Sequence, residues 1–582
     1  MTVKPFSPTT EQAAIVEHEG PAFVRACPGA GKTRTMVARA QRLFSDPVDK
    51  RGVAFLSFTK AAISELHTRL SAYGVLPHPL FPSYLGTFDS FLWQFVITPL
   101  GVPGCAVRPR LIPDKGGWEV KPKYELKPGQ KEPQALTLEC FDRQTGSVIP
   151  SAAADKGFDT TKRNIKPYET IAKKIIAKSL EDGLVDFDDV RGCVEQHLSN
   201  PAIEARIGIA LSARFREVIV DEAQDCNPAD LNIIKRMQKA GIPVKVICDP
   251  DQSIYGFRGG VTGEFGVFSD SFGKKNSLPM TGNFRSTPAI CNAISALRPS
   301  APLGVADIAL GENKDDMTPV HIIAYKGKGV PATIGETFKT LVTGASLPLS
   351  DAVVLASTWK SGAKAIGQAY IEPKNNMTLC LATAAMDYHF AFALGGLKEA
   401  LIGLHMTVLW VQGHINTRAD YHRYIQDQGL DDGRWRPKVI TLAKLLQFRP
   451  EETPQAWLDR ARIALSDEYI AANGINNRLK NTADLAKSLS ATPKMSCPSR
   501  TIHSAKGLEF PAVCVVMTTT SGKILDLLEG ADLPKVQEDA RKIYVAASRA
   551  QRLLAIAVPA SQATRLQSHL EKAGTPLKVH NV

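Results

Sequence analysis

The chain repeatedly passes from a short apolar run into a helix of period 3.6, with small, polar or acidic residues at the junction. The run Ala22–Arg25 leads through a small-residue loop into a helical pattern reaching about Phe44. Gly52–Thr59 reads as a buried strand followed by a helix over Lys60–Leu70, and Gly86–Phe91 sits at another strand-to-helix junction. Phe215–Val220 and Val244–Cys248 are further strand runs. His321–Tyr325 and Asp351–Ser357 begin a second series, which resumes at the strands Ala512–Met517 and Leu553–Val558, the last entered from a helix over Glu538–Ala550. Strands of this kind, joined by helices, predict parallel sheets whose loops gather at the carboxyl ends of the strands. Glu11–Val16 is expected to start a helix just before the first loop.

Two stretches break the rhythm. Ala106–Lys178 is rich in Pro, Gly and Lys, and its fifteen Lys/Arg against nine Asp/Glu carry +6 of the chain's +12. Within it, Gln134–Ile149 alternates about Asp142–Gly146 like a hairpin, and Ile171–Leu180 reads as a basic helix whose face could line a nucleic-acid path. From about Asn376 to Lys494 the pattern is chiefly helical and carries no motif. Its most apolar part, Tyr388–Val411, contains Lys398, Glu399 and His405, which predicts buried helices rather than a membrane span.

Composition narrows the class. A chain of 582 residues should hold roughly four domains at ~150 residues each, and 44% hydrophobic with 22% charged residues is the balance of soluble globular domains. The excess positive charge suits a polyanionic partner. Ten cysteines without a C-x-x-C pair or a Cys/His cluster argue against zinc or iron–sulfur modules and for reduced thiols in a cytosolic protein. Met1–Thr10 lacks the apolar core of a secretory signal.

The chemistry lies at the junctions. Ala26-Cys27-Pro28-Gly29-Ala30-Gly31-Lys32-Thr33 is a phosphate cradle between strand and helix. Small residues let backbone N–H groups turn onto phosphates, and the following helix, with Arg34 in its first turn, adds its positive end. Lys32 would reach the β- and γ-phosphates, and the Thr33 hydroxyl would hold Mg²⁺. Ala26 stands where the general pattern has Gly, which is tolerated if that position does not need positive φ. The strand ending at Val220 runs into Asp221-Glu222-Ala223-Gln224-Asp225. Asp221 could bind the phosphate-bridging Mg²⁺, and Glu222 could accept a proton from attacking water. The strand ending at Cys248 runs into Asp249-Pro250-Asp251-Gln252, where Gln252 is placed to sense a γ-phosphate. Tyr255, Phe257 and Arg258 follow, aromatics beside a cation that suit stacking on unpaired bases. Gln12 carries an amide that could serve the edge of adenine, although by itself it reads as an ordinary surface glutamine.

Taken in order, the Gln12 element, the Gly-Lys-Thr loop, Ser57–Thr59, Gly86–Phe91, Asp221–Asp225, Asp249–Arg258, Asn283–Thr287, His503–Phe510 and Tyr544–Ala550 resemble a superfamily 1 helicase of the UvrD/Rep branch. The resemblance spans nearly the whole chain outside the two interruptions. It implies an α/β protein of two RecA-like parallel-sheet domains, at 1–95 with 206–277 and at 278–375 with 496–582. A basic insertion (96–205) and a mainly helical one (376–495) would interrupt them. It implies ATP between the two domains and ATP-driven 3′→5′ movement along single-stranded DNA with strand separation. The alternative within the same resemblance is a translocase that displaces bound proteins and unwinds little. Carried over by position, Gln12 would read adenine, Phe284 would stack near it, and Glu509 would contact ribose, with Gly507 in the same nucleotide-binding set. Lys32, Thr33, Asp221, Glu222 and Gln252 would handle Mg²⁺ and phosphates, with Arg285 and Arg549 as arginine fingers. Phe58, Thr87, Tyr255, Phe257, Arg258 and His503 would lie along the DNA. Phe257 replaces a usual Trp, Phe284 a usual Tyr and Asp89 a usual His. Expected partners are single-stranded and tailed duplex DNA, replication or repair proteins, and no membrane, for a chain that is monomeric or weakly self-associating. Little sequence after Val558 is left for a nuclease domain, and the intact charged set argues against a non-catalytic binder.

Overall fold

A computed structural model describes residues 7–582 except 47, 59, 77, 113–114, 123–132, 255–261, 300–306, 328, 369–375, 395–396, 417–420, 422–423, 426–427, 431, 450, 490–497 and 519. The chain forms two compact units, one of Met1–Ala106, Val190–Gly367 and Met495–Val582, the other of Val107–Asp189 and Gln368–Lys494.

The first unit holds two six-stranded sheets, each wholly parallel. In the first, β1 (Ala22–Ala26), β2 (Gly52–Ser57), β3 (Tyr84–Thr87), β4 (Phe215–Asp221), β5 (Val244–Cys248) and β6 (Ser277–Met280) lie in the order β6-β1-β5-β4-β2-β3. Every residue of β2 and β5 is buried, as strands covered by helices on both faces require. The register sets Ser57 beside Thr87, Leu56 beside Val220, Asp221 beside Ile247, Arg25 beside Cys248 and Ala26 beside Met280. The carboxyl ends of these strands therefore share one rim, and the polar junctions of the sequence meet there. Helix α1 (Thr10–Glu17) starts on a capping box between Thr9 and Gln12. Helix α2 (Lys32–Phe44) is fixed to β4 by the buried Arg39, whose Nη2 and Nε donate to Glu217 at 2.6 and 3.1 Å.

The second sheet runs β9-β8-β10-β11-β7-β12, from β7 (Val320–Tyr325), β8 (Ala352–Ala356), β9 (Ser499–Thr501), β10 (Phe510–Val516), β11 (Ala550–Pro559) and β12 (Leu577–Asn581). Helix α3 (Pro288–Ala296), capped by Thr287, and helix α4 (Gln537–Ala547) pack on it. We call the sheets with their helices the first and second lobes. Ile254, just beyond β5 of the first lobe, is fully buried in the apolar core otherwise built from the second.

In the other unit, helices Met377–Leu394 and Leu397–Gln412 replace the apolar stretch, around a core that includes Trp435 and Trp457. No helix among the described residues is long and apolar enough to cross a membrane. The hairpin expected over Gln134–Ile149 forms only as a tight turn over Cys140–Ile149, where the Asp142 N–H donates to the Ser147 carbonyl and the Ile149 N–H to the Cys140 carbonyl, both at 2.8 Å; its outer part is a correction. Leu136–Thr137 pairs antiparallel with Glu119–Val120 instead, and only a single bridge, Phe141 to Val148, spans the turn. The turn itself forms because Asp142 Oδ1 accepts from the Gln144 and Thr145 N–H groups, a local signal that does not choose strand partners. The basic helix runs Lys166–Glu181, burying Tyr168, Ala172, Ile176 and Ser179 along one stripe while Lys173 and Lys174 face solvent.

Candidate active site

The loop after β1 bends at two glycines in the left-handed region, Gly29 (φ 72°) and Gly31 (φ 77°), the latter heading α2. A Cβ at Gly29 would lie 2.7 Å from both Arg285 Cβ and Asn283 Oδ1, so the second lobe approaches the loop as closely as glycine allows. The Phe284 N–H donates to the Gly29 carbonyl at 2.9 Å. Ala26 does not have positive φ, which is why alanine serves where the general pattern has glycine. Ala26, Cys27 and Pro28 are buried, and the Cys27 N–H donates to Met280 at 2.9 Å. Gln12 is not a surface residue, being only 2% exposed, and its Nε2 donates to the Ala30 carbonyl at 2.9 Å. Arg34 is exposed in the first turn of α2, and Thr33 beside it is half-buried.

Lys32 Nζ meets Glu222 Oε1 at 2.8 Å. Glu222 is left-handed (φ 55°), rare for a residue with a side chain, so the chain turns sharply after β4 and sets its carboxylate toward the loop. Gln224 Nε2 donates to the other oxygen. Burial opposes the charge on Lys32, but Glu222 and Asp221 outweigh it and hold the ammonium protonated. Burial, then the Glu222 charge, pushes the Asp221 carboxyl up. Glu222 goes down despite burial, because Lys32 and then Lys506 lie close. Asp221 is buried, and Glu222 next to it meets Lys32 of the loop whose Thr33 begins α2; carboxylate and hydroxyl oxygens of this kind are hard donors that fit Mg²⁺.

The second lobe supplies the facing charges. Arg549, 3% exposed, donates through Nη2 to Gln252 Oε1 at 2.7 Å. Arg285 donates to the Ser548 carbonyl at 2.8 Å and to Glu509 Oε1 at 2.6 Å, while its buried Nε has no hydrogen-bond partner. An unsatisfied guanidinium N–H beside a glycine cradle fits an incoming phosphate oxygen. Gly507 (φ 84°) turns the chain between His503 and Glu509. Three residues here escaped the sequence reading. Asn283 Oδ1 accepts from the N–H groups of Arg285 and Ser286 at 2.8 and 3.0 Å, shaping the turn that presents Arg285. Lys506 Nζ donates to Asp225 at 2.7 and 2.8 Å and to the Gln252 carbonyl at 3.3 Å. Tyr544 Oη donates to Asp249 Oδ2 at 2.8 Å. All three lie inside runs that the sequence singles out; the Lys506 and Tyr544 pairings need the second lobe to be placed against the first, whereas Asn283 shapes its own turn.

The sequence model of the UvrD/REP helicase N-terminal domain matches residues 8–273, and that of the UvrD-like helicase C-terminal domain matches 464–561. The chain belongs to the UvrD-like helicases. Members are ATP-hydrolysing enzymes that act on DNA. YjcD of Bacillus subtilis is 24% identical over 648 aligned positions, covering 98% of this chain and 82% of that protein. DNA helicase II of Haemophilus influenzae is 24% identical over 93% of this chain and 82% of its own length. The ATP-dependent DNA helicase PcrA of Staphylococcus aureus is 21% identical over 94% and 82%.

Of the residues expected along DNA in this UvrD-like helicase, Tyr255, Phe257 and Arg258 lie outside the described residues. Phe58 follows the carboxyl end of β2, and Thr87 is the last residue of the neighbouring β3. The Phe58 ring stacks on Phe88 at 5.3 Å, and the Thr87 hydroxyl accepts from the Ser90 N–H at 3.2 Å, capping the helix Phe88–Leu92. Asp89, in place of the usual His, pairs with Arg191 at 2.6 Å and is thereby committed within the fold. His503 Nε2 lies 3.2 Å from the Ile254 carbonyl.

Proposed function

We propose that this UvrD-like helicase hydrolyses ATP between its two lobes and uses the cycle to move 3′→5′ along single-stranded DNA, separating duplex strands. The lobes are assigned to the domains 1–95 with 206–280 and 281–375 with 496–582, the expected boundary at 277 being corrected because β6 (Ser277–Met280) pairs with β1 in the first sheet. One observation carries the reading: Arg285 and Arg549 arrive from the second lobe against Gly29 and Gln252 of the first. Guanidinium groups supplied across a cleft stabilise transition-state charge only while the cleft is closed. In this assignment Lys32 and the N–H groups of residues 29–33 hold the β- and γ-phosphates. Glu222 orients the attacking water and accepts its proton. Gln252 touches the γ-phosphate, Gln12 and Phe284 hold the base, and Glu509 meets the ribose. Mg²⁺, held by Thr33 and Asp221, would neutralise phosphate charge. Phe58, Thr87, Tyr255, Phe257, Arg258 and His503 are assigned to the DNA track.

The test is ATP hydrolysis with and without single-stranded DNA, followed by unwinding of duplexes with 3′ or 5′ tails. Strong stimulation and unwinding from the 3′ tail alone are expected. Absence of DNA stimulation overturns the reading. Stimulation without unwinding points to a translocase that strips bound proteins.

A further inference from the structure

The turn after β5 is held by the second lobe through more than its arginine. Asp249, 3% exposed, accepts from its own chain at Oδ1, from the Asp251 N–H at 3.1 Å. Its Oδ2 accepts two side-chain donors, Gln252 Nε2 at 2.9 Å and Tyr544 Oη at 2.8 Å. A carboxylate only accepts and a guanidinium only donates. With Asp249 on one side and Arg549 on the other, the Gln252 carboxamide has one orientation that satisfies both: nitrogen toward Asp249, oxygen toward Arg549 at 2.7 Å. Tyr544 and Arg549 leave the second lobe five residues apart at the end of α4, so one rigid element reaches the turn at two points. The Tyr544 ring is fully buried, and the Arg298 guanidinium lies 5.8 Å from its centroid while pairing with both Asp307 oxygens at 2.9 Å. The phenol is thus held by the core of the second lobe, and the same Arg298 also reaches the turn, with Nε 3.9 Å from Asp251 Oδ2. Burial, then the neighbouring Asp249 charge, keeps its hydroxyl protonated and able to donate.

We propose that Tyr544 is a positioning residue: by donating to Asp249 it locks the Gln252 carboxamide with its oxygen toward Arg549. The second lobe thereby sets the geometry of Gln252 as well as supplying the arginine. The proposal rests on the assignment of Gln252 and Arg549 to the γ-phosphate. It makes Tyr544 act through Gln252 and through nothing else in the reaction, which is measurable as non-additivity.

The experiment compares the full-length chain with Tyr544→Phe, Gln252→Ala and the double variant, in ATP hydrolysis at saturating single-stranded DNA. Tyr544→Phe keeps the ring and removes the donor. It is expected to lower kcat by about 10- to 100-fold, the range for a misplaced reacting group, with KM for ATP and DNA affinity within about twofold. In the Gln252→Ala background the same change should cost nothing further. Unchanged kcat in Tyr544→Phe, or a further loss of similar size in the double variant, overturns the proposal. Should Tyr544→Phe not fold, Asp249→Asn probes the bond from the other side, with the same dependence on Gln252 expected and its absence counting against. If the unsubstituted chain shows no DNA-stimulated hydrolysis, the reading of the site itself fails, whatever Tyr544→Phe does.

Discussion

Arg549 enters the site as a buried cation whose pKa is pulled down to about 10, by burial first and then by Arg285. It stays charged at neutral pH, and its Nη2 donates to Gln252. If it acts as the proposed arginine finger, removing it should abolish turnover, by about 10³-fold or more, while binding of a fluorescent nucleotide stays nearly intact. Equal loss of both would mean that Arg549 only holds the fold together. Lys at this position should not rescue, since an ammonium lacks the planar fork. Gly29 makes a second residue-scale case. An alanine there meets Arg285 Cβ and Asn283 Oδ1 at 2.7 Å with φ at 72°, so the loop or the Asn283–Arg285 turn must move. Gly29→Ala should cut kcat by about tenfold or more in a steady-state assay. The glycines of the loop were legible from spacing alone. Gln12 was not, because nothing local distinguishes a glutamine that caps its own helix and braces the Ala30 carbonyl from one that faces water.

Elements were legible where burial on both faces forces a continuous apolar run. β2, β4 and β5 each fall within a residue or two of their expected ends, since a parallel strand under two helix layers tolerates little else. The short strands near Glu119 and Leu136 were not legible, because two-residue pairings carry no periodicity. Nor could the sequence say that His321 of β7 would face His580 of edge strand β12, with Nδ1 2.9 Å from Nε2. Burial, then the His580 charge, lowers His321 to about 4 from its ordinary 6.5. The folded group stays neutral down to about pH 4, whereas the unfolded one takes up a proton near 6.5. Stability from this pair is therefore intact above pH 6.5 and falls as pH drops from 6.5 toward 4. Melting temperatures across that window should decline for the unsubstituted chain and decline less for His321→Leu. Ile254 belongs to the same scale. Its truncation to alanine opens a hole in the second lobe's core and should cost about 2–5 kcal/mol, read by denaturant unfolding.

At the scale of the whole first unit, the segment 249–254 is chemically part of both lobes. Its strand belongs to the first sheet, yet Tyr544, Arg549, Lys506 and His503 of the second lobe contact Asp249, Gln252 and Ile254. Lys506 also joins Asp225, at the end of the acidic run, and its charge helps to hold Glu222 ionised. A lysine so placed, three residues after His503, which is assigned to DNA, joins that segment to the acidic run whose carboxylates are assigned to hydrolysis. Removing it alone would be ambiguous, because a buried aspartate deprived of its ammonium is destabilising by about 3–5 kcal/mol. The informative variant pairs Lys506→Met with Asp225→Asn, restoring neutrality. Its melting temperature should recover toward that of the unsubstituted chain, while the ratio of DNA-stimulated to basal ATP hydrolysis falls at least about fivefold, a coupling of roughly 1 kcal/mol. If stimulation recovers together with stability, the ion pair serves only to fasten the lobes, and communication between DNA and nucleotide must pass through the Tyr544 and Arg549 side of the turn.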